Sequence, residues 1–461
     1  MEEFLNVTHS RIQHGVGQGS FHSATVELIT DDGTRYRYDY VYDCGGLNGK
    51  YPSPALLRSI ARLDLEPRVN SRGTKVIDAL VLSHYDYDHL AGAEILASRF
   101  EVRRIIAPYL STEELMLVIS SQALALTERQ VSELHQLASG ASGGLFGVPV
   151  TQILSGSSDG DGGQGNPDGS SPPHEDDHQE DAYSKEDPES MQTVMAGSGS
   201  PMGATLTSGD TILLADGSKS ITPWRLKFWN RGTSHRLIRI LSVELKSCGF
   251  PVGALRDANH IPVLIRWLGF SQNRKATLAA YRRAIAAYQP SWMEEAGGGR
   301  LANFLSLGLY SGPAFRVQSR PCYTVLSSNN LLVDHRASDR WHRRYSMLYH
   351  SPDKTGWLGT GDAPLGEPAI WTDFKHCYEQ ELENVLTVQI PHHGAAPSGG
   401  PRFFNVNLLP EDDMCAVVSA GTNNNYGHPT SQVIRQILSR NAFLEIVTEQ
   451  TWLGFQEIIR Y

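Results

Sequence analysis

The stretch Ser83-His84-Tyr85-Asp86-Tyr87-Asp88-His89 places four potential metal ligands within six residues. It follows Val76-Ile77-Asp78-Ala79-Leu80-Val81-Leu82, an apolar, β-branched run that predicts a buried strand. A strand ending in His-x-Asp-x-Asp-His delivers imidazole and carboxylate groups into one small volume at a loop. Hydrolytic sites built around two metal ions require that donor set. The competing reading is a solvated acidic turn with two surface histidines, and the segments downstream weigh against it.

Four further segments could do chemistry. Tyr42-Asp43-Cys44-Gly45-Gly46 ends a strand in an acid and a glycine turn. Leu358-Gly359-Thr360-Gly361-Asp362 and Pro391-His392-His393-Gly394 follow later. The last is Ser419-Ala420-Gly421-Thr422-Asn423-Asn424-Asn425-Tyr426-Gly427-His428-Pro429. Each sets a polar side chain beside glycine, where the backbone can turn sharply and approach an ion or phosphate closely.

The elements that must position these residues alternate between strand and helix. Residues 24–29 and 36–42 alternate at period two around Asp31-Asp32-Gly33, which predicts a hairpin. Pro54 to Leu63 reads as a short helix. Ser111-Thr112-Glu113-Glu114 is a capping box that opens a long helix to about Leu137. Residues 1–155 form the first half on this reading. Residues 156–203 are Gly, Ser, Pro and acid, with too little apolar content to offset the entropy of ordering, and are expected to be a disordered insert. Residues 204–230 return to strands.

Residues 231–318 read as a helical insertion, with Leu237, Ile240, Leu241 and Leu245 on one face and Leu278, Tyr281, Ile285 and Tyr288 on another. Arg274, Lys275, Arg282 and Arg283 there are either a solvated face or a surface that tracks phosphates. Residues 319–461 alternate again. Val385 to Ile390 is a strand that Pro391 should stop, and Ala416 to Ser419 is another.

Composition narrows the setting. Hydrophobic residues make up 40% and charged residues 20%, ordinary for a globular protein. No apolar run approaches the length of a membrane span, and the acidic start Met1-Glu2-Glu3 lacks a signal pattern, so a cytoplasmic protein without membrane contact is expected. Five scattered cysteines without C-x-x-C argue against a disulfide framework. The net charge of −10 resides in Asp159 to Glu189, which carries eleven acids and one lysine. The remainder is near neutral, and charge alone neither demands nor excludes a nucleic-acid partner.

The order His84-x-Asp86-x-Asp88-His89, Thr360-Gly361-Asp362, His392-His393-Gly394 and Tyr426-Gly427-His428-Pro429 resembles the metallo-β-lactamase fold. More narrowly, it is similar to the hydrolase domain of ComEC-type competence proteins and their stand-alone relatives. Gly15-Val16-Gly17-Gln18-Gly19-Ser20 resembles that group's opening Asp-Val-Gly-Gln-Gly-Asp, and Asn329-Asn330 its Asn-rich strand. The resemblance implies an α/β fold, the metallo-β-lactamase αββα sandwich, holding two divalent cations. His84 and Asp86 would hold one and Asp88 and His89 the other, with Asp362 bridging. His393 would be the late histidine ligand, with His392 the alternate. Asp43 would support the metal loop by hydrogen bonds. His428 would contact a substrate phosphate or protonate the leaving group, and Asn425 would orient its loop.

Departures from the wider pattern matter. Asp86 stands where histidine is commoner, and a harder ligand tilts the site toward Mn²⁺ or Mg²⁺ relative to Zn²⁺. The usual middle histidine is not evident, because His335, His342 and His350 lack a matching context. Gly15 and Ser20 replace acids of the opening motif.

The favoured function is a phosphodiesterase or nuclease in which two cations activate a water for attack on phosphorus, with Asp88 or Asp362 accepting a proton and His428 donating one. Two readings compete. One is a hydrolase of a small molecule such as a lactone, β-lactam, thioester or cyclic nucleotide. The other is a non-catalytic interaction module that binds a protein partner through 231–318.

Overall fold

In the computed structural model the described residues are 6–48, 51–63, 69–70, 73–139, 144–156, 192–196, 205–215, 223–288, 305–314, 322–327, 354–395, 414–425, 427–440, 442–451 and 454–460. Strands β1 (Asn6–Gln13), β2 (Phe21–Ile29) and β3 (Arg35–Cys44) open the chain. A ribbon, β4 (Leu47–Asn48) and β5 (Tyr51–Pro52), leads to α1 (Pro54–Leu63). The predicted strand at 76–82 is two short strands, β6 (Val76–Ile77) and β7 (Ala79–Val81). Asp78 between them spends its carboxylate on the Asp39 N–H and on Arg103.

Helices α2 (Tyr87–Leu90) and α3 (Ala93–Arg99) carry the metal loop onward to β8 (Glu101–Val102) and β9 (Ile105–Pro108). The capping box at Ser111 forms, but the helix it opens is α4 (Thr112–Ser121) and stops there. A second capping box, Thr127 with Gln130, starts α5 (Glu128–Ala138), so one predicted helix is two.

The remaining strands are β10 (Val150–Leu154), β11 (Gln192–Ala196), β12 (Thr205–Thr207), β13 (Thr211–Ala215) and β14 (Trp224–Trp229). β11 falls inside the stretch expected to lack order. It pairs antiparallel with β13, whose edge supplies the backbone hydrogen bonds that its own sequence does not advertise. Helices α6 (His235–Ser247), α7 (Ile261–Gly269) and α8 (Ser271–Tyr288) follow. The helical insertion ends sooner than expected, because Gly308–Pro313 is a strand, β15, between β14 and β17 (Gly356–Gly359). Its glycine- and proline-containing sequence hid it. Between those two strands the chain adds β16 (Cys322–Ser327). The chain closes with α9 (Pro368–Cys377), β18 (Val385–Gln389), β19 (Cys415–Ser419), α10 (Ser431–Ser439), β20 (Phe443–Val447) and β21 (Phe455–Arg460).

Among the described residues, a nine-stranded sheet runs β12-β10-β9-β7-β3-β2-β1-β21-β16 and an eight-stranded sheet runs β11-β13-β14-β15-β17-β18-β19-β20. Period-two alternation sorts each strand between two layers. Ala79 and Val81 join Val26, Tyr40, Ile106, Trp224, Phe228, Leu309 and Trp357 in a buried layer between the sheets. Leu80 and Leu82 face the other way, onto Leu56, Ile60 and Leu96 of the helices. Val388 and Val418 of the second sheet are likewise in the outer core, with Phe374, Val433 and Ile437. The result is the expected αββα sandwich.

The sandwich interior is not apolar throughout. Arg11, Gln13, Glu457, Thr387, Gln389 and Ser419 are buried polar residues along β1, β21, β18 and β19. Gln13 Nε2 donates to Ser419 Oγ at 2.8 Å, and Gln389 Nε2 to Ser20 Oγ at 2.7 Å. This polar seam reaches the sheet ends that carry the site.

Of the four basic residues on α8, Arg274 donates to the Ala123 and Leu126 carbonyls, and Arg283 pairs with Glu244 at 2.7 Å. Those two are spent on holding α8 against the turn after α4 and against α6. They do not support a surface that tracks phosphates.

Candidate metal centre

The metal loop begins where β7, parallel to its neighbours β3 and β9, runs out. Tyr85, 1% exposed, pins the loop by donating its hydroxyl to the Pro108 carbonyl at 2.6 Å. Asp43, at the end of β3, has φ 57° and is fully buried. Its Oδ1 accepts the Ser83 N–H at 2.7 Å and its Oδ2 the Ser83 hydroxyl at 2.8 Å. Gly45 is required by contact: a Cβ there would lie 1.9 Å from the Asp88 carbonyl oxygen. Gly361 has φ +52°, and a Cβ would meet the Ser83 Cβ at 2.7 Å, so the Thr360-Gly361-Asp362 turn lies directly on the metal loop.

These turns bring His84, Asp88, His89, Asp362, His392 and His393 together. His89 Nε2 is 3.3 Å from Asp362 Oδ1, while His84 Nε2 and His392 Nε2 are each 3.8 Å from Asp362 Oδ2. His393 Nε2 is 3.6 Å from Asp88 Oδ2. Two groups, His84–Asp88–His89 and His89–Asp362–His393, have ligand atoms within 4.8 Å of one another.

The hydrogen bonds decide which imidazole nitrogen faces this cluster. His89 Nδ1–H donates to Asp43 Oδ2 at 2.8 Å, and His393 Nδ1–H to the Ser419 carbonyl at 2.9 Å. The Ser83 hydroxyl, having given its proton to Asp43, accepts His84 Nδ1–H at 2.9 Å. Each bond leaves Nε2 to point inward, and the Nε2 atoms of His84, His89 and His393 are buried without a hydrogen-bond partner. A buried nitrogen without a partner is costly. Three converging on carboxylates fit a divalent cation, and hydrogen bonding through the other ring nitrogen is the usual support for a histidine ligand.

Electrostatics agree. Burial by itself disfavours the Asp88 and Asp362 anions, yet His393 and His89 at Asp88, and His89 and His392 at Asp362, hold both carboxyls below the usual range. Burial and the neighbouring His89 lower His84 to about 4. Burial also lowers His89, but Asp362 and Asp43 outweigh it and raise the ring well above its ordinary value. A cation entering this cluster displaces that proton.

Not every expected residue converges. Asp86 occupies the N-cap of α2, half-buried, and belongs to neither group. His428 is half-buried beside His392, with ring centroids 5.6 Å apart. Its loop is braced by Asn424, not Asn425: Asn424 Nδ2 donates to the Gly421 and His428 carbonyls, and its Oδ1 accepts the His428 N–H at 3.0 Å. Asn425 is exposed. Three consecutive asparagines gave no sequence signal to choose between them. Asn329, Asn330, His335, His342, His350 and Tyr426 lie outside the described residues.

Sequence reasoning also passed over Ser83, whose only signal was its place before His84. Ser83→Ala removes the acceptor for His84 while leaving the Asp43–His89 bond. Its expected effect is a loss of cation affinity near the lower end of the roughly 10–100-fold range for such supporting partners. Chelator competition checks it, and unchanged affinity would count against the relay.

The metallo-beta-lactamase superfamily profile matches residues 41–215, from β3 through the metal loop to β13. ComE operon protein 3 of Bacillus subtilis (strain 168) is 35% identical over 101 residues, which is 20% of this chain and 12% of that protein. The chain therefore spans about an eighth of that relative's length (12%). A solved metallo-β-lactamase from Novosphingobium pentaromativorans aligns at 14% identity and TM-score 0.18, over 63% of this chain and 92% of that one. No helix among the described residues is long and apolar enough to cross a membrane. The αββα sandwich of this chain thus carries, over residues 41–215, a match to the metallo-beta-lactamase superfamily, and its matched segment is similar to the ComE operon protein.

Proposed function

We propose that this protein is a metal-dependent hydrolase that cleaves phosphodiesters, with nucleic acid as the leading substrate class, using two divalent cations. The observation that carries the reading is the convergence of three partnerless imidazole nitrogens on the Asp88 and Asp362 carboxylates. When bound, such cations supply Lewis acidity, acidifying a water and offsetting charge on phosphoryl oxygens. Asp362 presents one oxygen toward His89 and the other toward His84 and His392, which suits a carboxylate shared between two positions. Asp88, its side chain 26% exposed, is the more accessible acid and orients the attacking water and takes its proton. His428, at the outer rim beside His392, donates a proton to the departing oxygen.

The test is hydrolysis of single- and double-stranded DNA, RNA and bis-p-nitrophenyl phosphate by the full chain. EDTA is expected to abolish turnover, and Mn²⁺ or Zn²⁺ to restore it. Polymer cleavage supports the nuclease reading. Retained activity in Asp88→Ala, or no phosphodiester turned over with any cation, would sink it.

A further inference from the structure

Among the described residues, His84 and His392 are the imidazoles whose Nε2 atoms face Asp362 Oδ2. Three features point to a shared role for them there. First, the Asp362 carboxylate is divided: Oδ1 lies 3.3 Å from His89 Nε2, whereas Oδ2 lies 3.8 Å from both His84 Nε2 and His392 Nε2. Second, His392 and His393 diverge although they are adjacent. Their rings are 6.1 Å apart at 62°, and His393 turns to Asp88, with Nε2 3.6 Å from Oδ2. Third, this divergence is built on two consecutive left-handed residues, φ 49° and 55°. Neither is glycine, and each such residue costs about 1–3 kcal/mol, a strain that clusters at functional sites. The His392 N–H, donating to the Gly361 carbonyl at 3.2 Å, fastens the turn beside Asp362.

We propose that His392 and His393 are not alternatives but serve different cations: His392 completes the site of His84 and Asp362 Oδ2, and His393 completes the site of Asp88 and His89. This rests on the two-cation reading above. His392 is the most exposed of the four histidines, its side chain 17% exposed against 1–3% for the others. It also stands outside both preformed ligand groups, so loading draws it inward, and this site should fill second.

The experiment measures metal content, not turnover. Wild type, His392→Ala, His392→Gln and His393→Ala are loaded with Mn²⁺, dialysed and assayed for bound metal by mass spectrometry. Electron paramagnetic resonance then distinguishes coupled from isolated Mn²⁺, and thermal melts confirm the fold. Wild type should hold a coupled pair of ions. Both His392 variants should hold a single isolated ion at near wild-type affinity, and added imidazole should restore the second to His392→Ala. His393→Ala should weaken the first ion to bind. Full metal content in a folded His392 variant overturns the assignment whatever its activity, since His392 would then act on substrate. A wild type that holds only one ion overturns both this assignment and the two-cation reading. A wild type that holds two ions but cleaves no phosphodiester overturns the proposed substrate and leaves His392 to be judged on metal content.

Discussion

Asp43→Asn is expected to weaken cation binding at both histidines of the metal loop and to reduce turnover with it, toward the upper end of the roughly 10–100-fold range for partners of metal ligands. The carboxylate has two acceptor oxygens and uses both. Oδ1 takes the Ser83 N–H, and Oδ2 takes the Ser83 hydroxyl and His89 Nδ1–H. An asparagine offers one acceptor oxygen. If that oxygen stays on the Ser83 N–H, the amide NH₂ faces the Ser83 hydroxyl and His89 Nδ1.

His89 can then satisfy the new donor only by presenting its Nδ1 lone pair, which moves the ring proton to Nε2. That nitrogen faces Asp362 and can no longer ligate. The same exchange turns the Ser83 hydroxyl around and disturbs His84. Asparagine tolerates the left-handed conformation that Asp43 adopts, so the backbone is preserved and the effect is electronic. Chelator competition with Zn²⁺ and Mn²⁺, alongside thermal melts, reads it. Wild-type affinity in a folded Asp43→Asn would show that the tautomers are set by something else.

The asymmetry between Asp43 and Ser83 explains what could be read from the chain and what could not. Ligands announce themselves because chemistry restricts their type: His84, Asp88 and His89 follow β7 within a few residues, Asp362 and His393 stand beside glycine after β17 and β18, and all converge. Supporting groups are less restricted. A serine before a histidine has many uses, and only the fold shows that Ser83 links Asp43 to His84. The same holds for Asn424, which differs from its neighbours only in where the turn aims it.

At the level of elements, strong local signals located most strands, since β-branched runs bounded by glycine have few other solutions. They failed where tertiary pairing overrides local preference. β11 draws on the edge of β13, and β15 contains glycine and proline yet is held between β14 and β17. The break between α4 and α5 was written in the sequence as the second capping box, Thr127 to Gln130, but the apolar pattern running through it masked the stop.

Arg11→Ala is expected to cost about 3–5 kcal/mol of unfolding free energy, the penalty for stranding one member of a buried ion pair. Arg11 and Glu457 are 1% and 2% exposed and meet at 2.6 Å, tying the first strand of the chain to the last. The guanidinium also crosses to the second sheet, donating to the Thr355 carbonyl at 3.0 Å and the Thr387 hydroxyl at 2.9 Å. The Thr387 hydroxyl donates in turn to Glu457 at 2.6 Å.

Truncation leaves the Glu457 charge in the sandwich with the Thr387 hydroxyl as its remaining neighbour from this network. Replacing both partners, Arg11→Met with Glu457→Leu, removes the stranded charge and should recover much of the loss. It should not recover all, because the guanidinium hydrogen bonds to the Thr355 carbonyl and the Thr387 hydroxyl are lost, at about 0.5–1.5 kcal/mol for each bond. Denaturant unfolding of the wild type, the single variant and the double variant measures both steps. A single variant within about 1 kcal/mol of wild type would mean that water already reaches the seam and screens the pair. A double variant no better than the single one would mean that the cross-sheet hydrogen bonds, and not the charge pair, hold the two sheets in register beneath the metal centre.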